Sequence, residues 1–376
     1  MSEEITEKKE KVEKKVLSPD EVRKAINKKT GHKSAFDMTK ENPAEVKDWI
    51  PSGNRLLDSI MCDGMVAGIP VGRIIELAAE PGGGKSFLAV AYAKNALLKG
   101  YDVVYFCSEP GGVEADFLTK FIGVETLARF TYVEVNFMEE VFETIESLLV
   151  NTNNKYLFVW DSYAATPAKA EADGGFDPSS TFAIAPRVAT LGLRKLLVPL
   201  AKRESTLLVL NQIRDNIGAD KYKLMYEPYR IPGGKGMAHA YSNRLWLFVN
   251  NSKAKSISDE GGEKIGKTGK VIHKKSRHGT EGREAPIAFT WSGDHPHLHN
   301  EELWMDALKE RKVLFWKQPR WVLRLNGAEI PIKLDDWETL LKDVEAKKLI
   351  MAALDEAYVY NYQSVTAEIP RVAEED

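Results

Sequence analysis

The stretch Gly72 to Ala91, GRIIELAAEPGGGKSFLAVA, limits what this chain can fold into more than any other part of it. Arg73 to Ala78 is an apolar run of strand length, and apolar residues recur at helical spacing from Phe87 onward. Between them lie Ala79, Glu80, Pro81, Gly82, Gly83, Gly84, Lys85 and Ser86, which fit the phosphate-binding pattern G-x-x-x-x-G-K-S/T except that Ala79 replaces the first glycine. Consecutive glycines let the backbone curl until several N–H groups point at one phosphate chain. The helix that follows adds its positive N-terminal end. Lys85 can neutralise the β- and γ-phosphates, and the Ser86 hydroxyl can enter a magnesium shell. Strand, loop and helix in this order imply a nucleoside triphosphate site with Mg2+.

The following segments extend that sheet. Asp102 to Cys107 is an apolar strand ending at Ser108-Glu109, Lys155 to Trp160 ends at Asp161-Ser162, and Thr206 to Leu210 ends at Asn211-Gln212. A short strand is expected within Glu125 to Val135, helices over Met138 to Asn151 and Pro186 to Lys202, and strands over Arg244 to Asn250, Gly269 to Lys275 and Pro286 to Trp291. Strands alternating with helices predict an α/β fold, a mostly parallel twisted sheet with helices on both faces, whose ligands collect at the carboxyl ends of the strands. Three polar groups stand at such ends. Asp161 follows the apolar run Leu157 to Trp160, as expected of the acid on the metal side. Glu109 can activate the water that attacks the γ-phosphate, and the Gln212 amide can bond that phosphate and report its presence to the chain beyond.

With 376 residues, 43% hydrophobic and 28% charged, the chain has room for a core of good size. No apolar run reaches membrane-spanning length, and the start of the chain is charged rather than signal-like. Cys62 and Cys107, the two cysteines, make neither a disulfide framework nor a metal set, so a reducing cytoplasm is expected. Residues 1–48 read as an N-terminal arm and linker, with a helix starting at Ser18-Pro19-Asp20-Glu21; 49–295 as the globular core; and 296–376 as a small C-terminal α+β domain with an acidic tail.

Two segments are too long for plain connections, Tyr163 to Pro186 and Arg214 to Lys235. The second interleaves Arg214, Lys221, Lys223, Arg230 and Lys235 with Tyr222, Tyr226 and Tyr229, a pattern suited to a nucleic-acid strand: cations meet phosphates and rings meet bases. Gly233 and Gly234 let backbone N–H groups approach a phosphate closely. The insert Ser252 to Thr268, rich in Lys and Gly, reads as a mobile hairpin.

These residues resemble RecA-type recombinases, and especially the UvsX-type recombinases of tailed phages, from about Trp49 to about Tyr358. The run Asn211-Gln212-Ile213-Arg214-Asp215-Asn216-Ile217-Gly218 is similar to the start of the second DNA-binding loop, and Pro232-Gly233-Gly234 with Tyr241-Ser242-Asn243-Arg244-Leu245 to its close. Phe182, Arg187, Arg194 and Lys195 have the spacing of the first DNA loop and the helix after it, and Lys275-Ser276-Arg277 resembles a phage segment.

The resemblance implies helical filaments on single-stranded DNA, pairing with double-stranded DNA, and ATP with Mg2+ held between subunits. It also implies single-strand-binding and mediator proteins as partners, and no membrane. On this reading Ala79 to Phe87 bind the nucleotide, Ser86 and Asp161 the metal, and Glu109 activates water while Gln212 senses phosphate. Lys275 and Arg277 reach a neighbour's ATP as cationic fingers, with Lys274 as the alternative register for the lysine. DNA meets Phe182 and Ile217 as wedges, with Arg187, Arg194, Arg214, Gly233, Gly234 and Lys235 near its backbone. Phe117 is a candidate for stacking on adenine. Two other classes share the nucleotide site, a RecA-fold hexameric DNA helicase and an ATP-binding recombination scaffold without hydrolysis.

Overall fold

The computed structural model describes residues 16–109, 111–173, 184–216, 225, 228–250, 252, 256–292, 296–334 and 336–362. The chain forms two compact units, Met1–Val46 and Lys47–Asp376. In the first, α1 (Pro19–Thr30) begins as the Ser-Pro-Asp-Glu signal predicts. The Glu21 amide donates to Ser18 Oγ, the Ser18 amide donates to the Glu21 carboxylate at 2.9 Å, and Gly31 ends the helix in the left-handed region. None of its residues is buried.

The second unit is built on a ten-stranded sheet. Its strands are β1 (Ile74–Ala79), β2 (Asp102–Cys107), β3 (Phe130–Glu134), β4 (Tyr156–Asp161), β5 (Thr206–Gln212), β6 (Asn243–Val249), β7 (Ser256–Ser258), β8 (Lys264–Lys275), β9 (Glu284–Thr290) and β10 (His297–Leu298). In space the order is β10-β9-β8-β6-β1-β5-β4-β2-β3, with β7 paired to β8. From β3 to β6 all pairings are parallel, and beyond β6 they are antiparallel.

The apolar runs are continuous because both faces of the parallel strands are covered. Val103 and Tyr105, Leu157 and Val159, and Leu208 and Leu210 enter one core with α2 (Lys85–Leu98). Their alternates Val104 and Phe106, Phe158 and Trp160, and Leu207 and Val209 enter a second core with α3 (Met138–Asn151) and α4 (Ile184–Lys202). The predicted helices on both faces follow from this period of two. Gly192 inside α4 has a packing reason: a Cβ there would meet the Phe142 ring of α3 at 2.4 Å.

The C-terminal part is α+β as expected: α5 (Trp304–Glu310), the antiparallel sheet β11 (Leu314–Lys317), β12 (Arg320–Leu325) and β13 (Ala328–Ile332), then α6 (Trp337–Lys342) and α7 (Val344–Asp355). Trp304, Leu308, Leu314, Leu323, Ile350 and Leu354 join the α2-side core. Among the described residues, no helix is long and apolar enough to cross a membrane.

Beneath the α2-side core lies Asp58, only 4% exposed, whose carboxylate accepts from the Ser52 amide at 2.8 Å. Burial pushes this carboxyl up to about 7, against the pull of its hydrogen bonds. The folded chain therefore holds a proton between about pH 4 and 7 that the unfolded chain has released. Its contribution to stability is complete below that window and is lost as pH rises through it. Asp58→Asn, a neutral isostere, removes this dependence. Its stability relative to the native chain should rise by up to about 1.4 kcal/mol per pH unit across the window, read from urea melts at about pH 5 and 7.5. A pH-independent difference would show that Asp58 is ionised in the fold.

Candidate functional site

The phosphate loop joins β1 to α2. Gly84 caps the helix with φ 88°, and a Cβ there would lie 2.2 Å from the Phe289 ring, so both backbone and space demand glycine. Ala79 ends β1 and is buried, whereas Glu80, Pro81 and Gly82 are exposed at the turn. Lys85 and Ser86 are half-buried, and Phe87 is buried against Phe289, with ring centroids 4.8 Å apart.

Next to the loop, Asp161 at the end of β4 is 6% exposed. Its Oδ2 accepts from Ser86 Oγ at 2.7 Å and from the Tyr105 hydroxyl at 2.5 Å. Burial raises its carboxyl, while those hydrogen bonds and the Lys85 charge pull it down. Burial lowers the Lys85 ammonium, and Asp161 and then Glu109 draw it back up. Glu109 is exposed and its Oε1 accepts from Ser162 Oγ at 2.9 Å. The four groups Lys85, Ser86, Glu109 and Asp161 thus meet at the carboxyl ends of β1, β2 and β4. Serine and carboxylate oxygens are the donors that a hard octahedral ion such as Mg2+ takes, so this set fits it. Tyr105 was not legible as a partner of Asp161. It follows from the β2–β4 register, where Cys107 stands opposite Asp161 and Tyr105 is two residues away on the same face.

Gln212 lies opposite Ala79 in the β1–β5 ladder, and the amide of the next residue, Ile213, donates to the Ala79 carbonyl at 2.9 Å. The stems of the second long segment close at once after it. Arg214–Asp215 pairs antiparallel with Tyr229–Arg230, and the Asn216 amide donates to the Pro228 carbonyl. Asn211 ties these parts together: its Nδ2 donates to Glu76 Oε1 at 3.1 Å and to the Pro232 carbonyl at 3.0 Å. Glu76, 1% exposed in the middle of β1, also binds Arg244 Nε at 2.6 Å. Burial raises the Glu76 carboxyl and Arg244 opposes that. A hydrogen-bonded path therefore runs from the strand that carries the phosphate loop to the closing stem of the second segment.

One cavity lies at the glycine-rich loop and another beside this path. The first, of about 320 Å³, is lined by Gly82 to Phe87 with Lys267, Phe289 and Trp291. Lys267 Nζ donates to the Gly82 carbonyl at 2.6 Å. Phe289 is its cross-strand partner on β9, so cation and ring cover the loop together. Neither was expected at the loop from sequence: Lys267 falls in the insert and Phe289 in a strand far along the chain. The insert is a hairpin as read: Ser256–Ser258 pairs antiparallel with the first residues of β8, and the return arm is continuous with that twelve-residue strand. Phe117 does not line this cavity; it packs on Phe87 and Phe121. The larger cavity, about 640 Å³, lies under the second segment beside Tyr229, Arg230, Lys235, Arg244, Trp246 and Lys274. It is roomier, but the glycine-rich loop lines the smaller one.

Lys275 and Arg277 lie away from their own phosphate loop. Lys275 pairs with Arg244, which pairs with Glu76, and the Arg277 charge acts on Arg73, just before β1. The loop leaves from the other end of β1. Lys275 Nζ donates to the Ala238 and Tyr241 carbonyls at 2.7 Å, and Arg277 to the His239 carbonyl at 3.1 Å. Both thereby hold the C-terminal end of the helix Gly234–Ala240. Gly233 and Gly234 have φ of 107° and 68° where that helix begins, and Lys235 is exposed in its first turn. Arg187, Arg194 and Lys195 are exposed on α4, and Arg214 is exposed at the stem. Phe182 and Ile217 lie outside the described residues.

The family model described as the RecA N-terminal domain matches residues 19–293. Relatives include the Protein RecA of Malacoplasma penetrans, 28% identical over 68% of this chain and 71% of its own length. The Protein RecA of Thermus aquaticus is 29% identical over 70% of this chain and 73% of its own, and that of Thermus thermophilus 28% identical over 64% and 67%. A phosphate loop, a buried acid beside it, and a family match across most of the chain lead to one assignment: the chain belongs to the RecA family.

Proposed function

We propose that this chain is an ATP-dependent DNA strand-exchange recombinase of the phage UvsX type. It would form helical filaments on single-stranded DNA in the cytoplasm, for homologous recombination, repair and recombination-dependent replication. The observation that carries this reading is the path from Ala79 through Gln212 and Asn211 to Pro232. It gives a phosphate event a physical route to the segment richest in cations and aromatics.

Lys85 and the loop amides hold the triphosphate, and Ser86 with Asp161, positioned by Tyr105, holds Mg2+, which neutralises phosphate charge when bound. Glu109 takes the proton of the attacking water. The Gln212 amide bonds the γ-phosphate and orders the segment beginning at Arg214. Arg187, Arg194, Arg214, Gly233, Gly234 and Lys235 then lie along the DNA backbone, with Phe182 and Ile217 between bases. Lys275 and Arg277, remote from their own loop, serve a neighbour's nucleotide, so that ATP lies at a subunit joint. ATP and DNA then favour one state and raise each other's affinity. Single-strand-binding and mediator proteins would manage access to the strand.

Gln212→Ala should retain ATP binding and lose DNA-stimulated hydrolysis, measured by phosphate release with and without single-stranded DNA. Normal stimulation in that variant would discard the coupling.

A further inference from the structure

At its antiparallel edge the sheet ends in β10, and the chain then enters a tight turn at Glu301–Leu303. His297 and His299 are two residues apart at this edge, which brings their rings to one side, with centroids 4.9 Å apart. Glu302 faces both: its Oε1 is 3.0 Å from His297 Nε2 and 3.5 Å from His299 Nδ1. Ligand atoms from all three residues lie within 4.8 Å of one another. The second carboxylate oxygen, Oε2, accepts from the Asn300 amide at 2.9 Å, which fixes the group and leaves Oε1 turned toward the imidazoles.

Nitrogen and oxygen ligands about 2.0–2.1 Å from a tetrahedral ion stand about 3.3–3.4 Å apart. The two separations to Glu302 fall on either side of that value, and all three ligand atoms lie within 4.8 Å, so side-chain rotation that draws the two imidazoles together closes the triad round an ion. We infer that His297, His299 and Glu302 form a binding site for a borderline divalent transition ion, zinc foremost, with solvent in the remaining position. Two imidazoles and one carboxylate select such ions over Mg2+, which takes oxygen ligands. The site is therefore chemically distinct from the Ser86–Asp161 pair.

Its place in the fold suggests what occupancy does. His297 stands opposite Thr290 and Leu298 opposite Phe289, the ring that covers Gly84. The His299 carbonyl accepts from Asn54 Nδ2, and Asn300 Oδ1 from the Arg55 amide, each at 2.8 Å. An ion here clamps the last strand of the sheet to the turn after it, behind the wall of the nucleotide cavity.

The test uses the full chain, freed of metal with a chelator and titrated with Co2+ and then Zn2+ without nucleotide. One equivalent of Co2+ should bind with the visible absorption of a tetrahedral site, Zn2+ should displace it, and excess Mg2+ should leave it unchanged. His297→Ala, His299→Ala and Glu302→Ala should each weaken binding by at least about 10-fold. Should His299→Ala fail to fold, His297→Gln at the more exposed position carries the test, checked by a melting temperature in chelator equal to that of the parent. Co2+ binding of equal strength in parent and His297→Gln, or no binding to the parent, would reduce the triad to histidine–carboxylate hydrogen bonds.

Discussion

Glu109→Gln should bind ATP and single-stranded DNA as the parent does, yet release phosphate about 10²–10⁴-fold more slowly. The carboxylate follows β2 by two residues, accepts from Ser162 Oγ at 2.9 Å beside Asp161, and is exposed to solvent. Glutamine keeps the length, and its carbonyl can still accept from Ser162; it cannot take a proton. The change therefore isolates general-base chemistry from packing and phosphate binding. Single-turnover phosphate release with saturating DNA reads the rate, and a fluorescent ATP analogue reads binding. A rate within about threefold of the parent would restrict Glu109 to orienting Ser162.

The second large effect is on the fold. Arg244→Ala leaves Glu76 in the middle of β1 with Asn211 as its remaining side-chain donor. Removing one partner of a buried ion pair costs about 3–5 kcal/mol. The lower end applies here, about 3 kcal/mol, because both residues line the 640 Å³ cavity, through which water can reach the carboxylate. The sign of the pH dependence follows from Glu76, which burial already raises and Arg244 holds down. Without Arg244 the carboxyl rises further, so the variant loses stability as pH climbs above the ordinary carboxylate range. Arg244→Ala combined with Glu76→Gln should recover most of the loss, because no charge is then left unpaired. Urea melts of the two single variants and the double variant make the measurement. If Arg244→Ala melts like the parent at about pH 8, the pair contributes no stability.

Much of this was readable from residue pattern. Asp102–Cys107 and Met138–Asn151 are found where they were expected, because each is bounded by polar turns and has an unbroken apolar period. The start of β8 was not. Lys264 to Gly269, KIGKTG, alternates without an apolar face, and it is strand because Ser256–Ser258 and β9 pair with its two sides. Lys267 is consequently a residue of the cavity beside the glycine-rich loop that no local signal marks.

Aromatic roles divide the same way. Phe117 and Phe289 are both rings near an apolar run, and only packing separates them: Phe117 closes on Phe121, whereas Phe289 lies over Gly84.

By itself the amino-acid order determined the glycine-rich loop between strand and helix, the strand-end acids, the mixed basic and aromatic segment after Gln212, and a sheet covered on both sides. Each rests on neighbours along the chain, where spacing dictates which groups share a face. Only the tertiary structure decided that Tyr105 holds Asp161, that Asn211 bonds both Glu76 and Pro232, and that Lys275 faces away from its own loop. Those relations depend on strand order and register, which bring together side chains far apart in sequence.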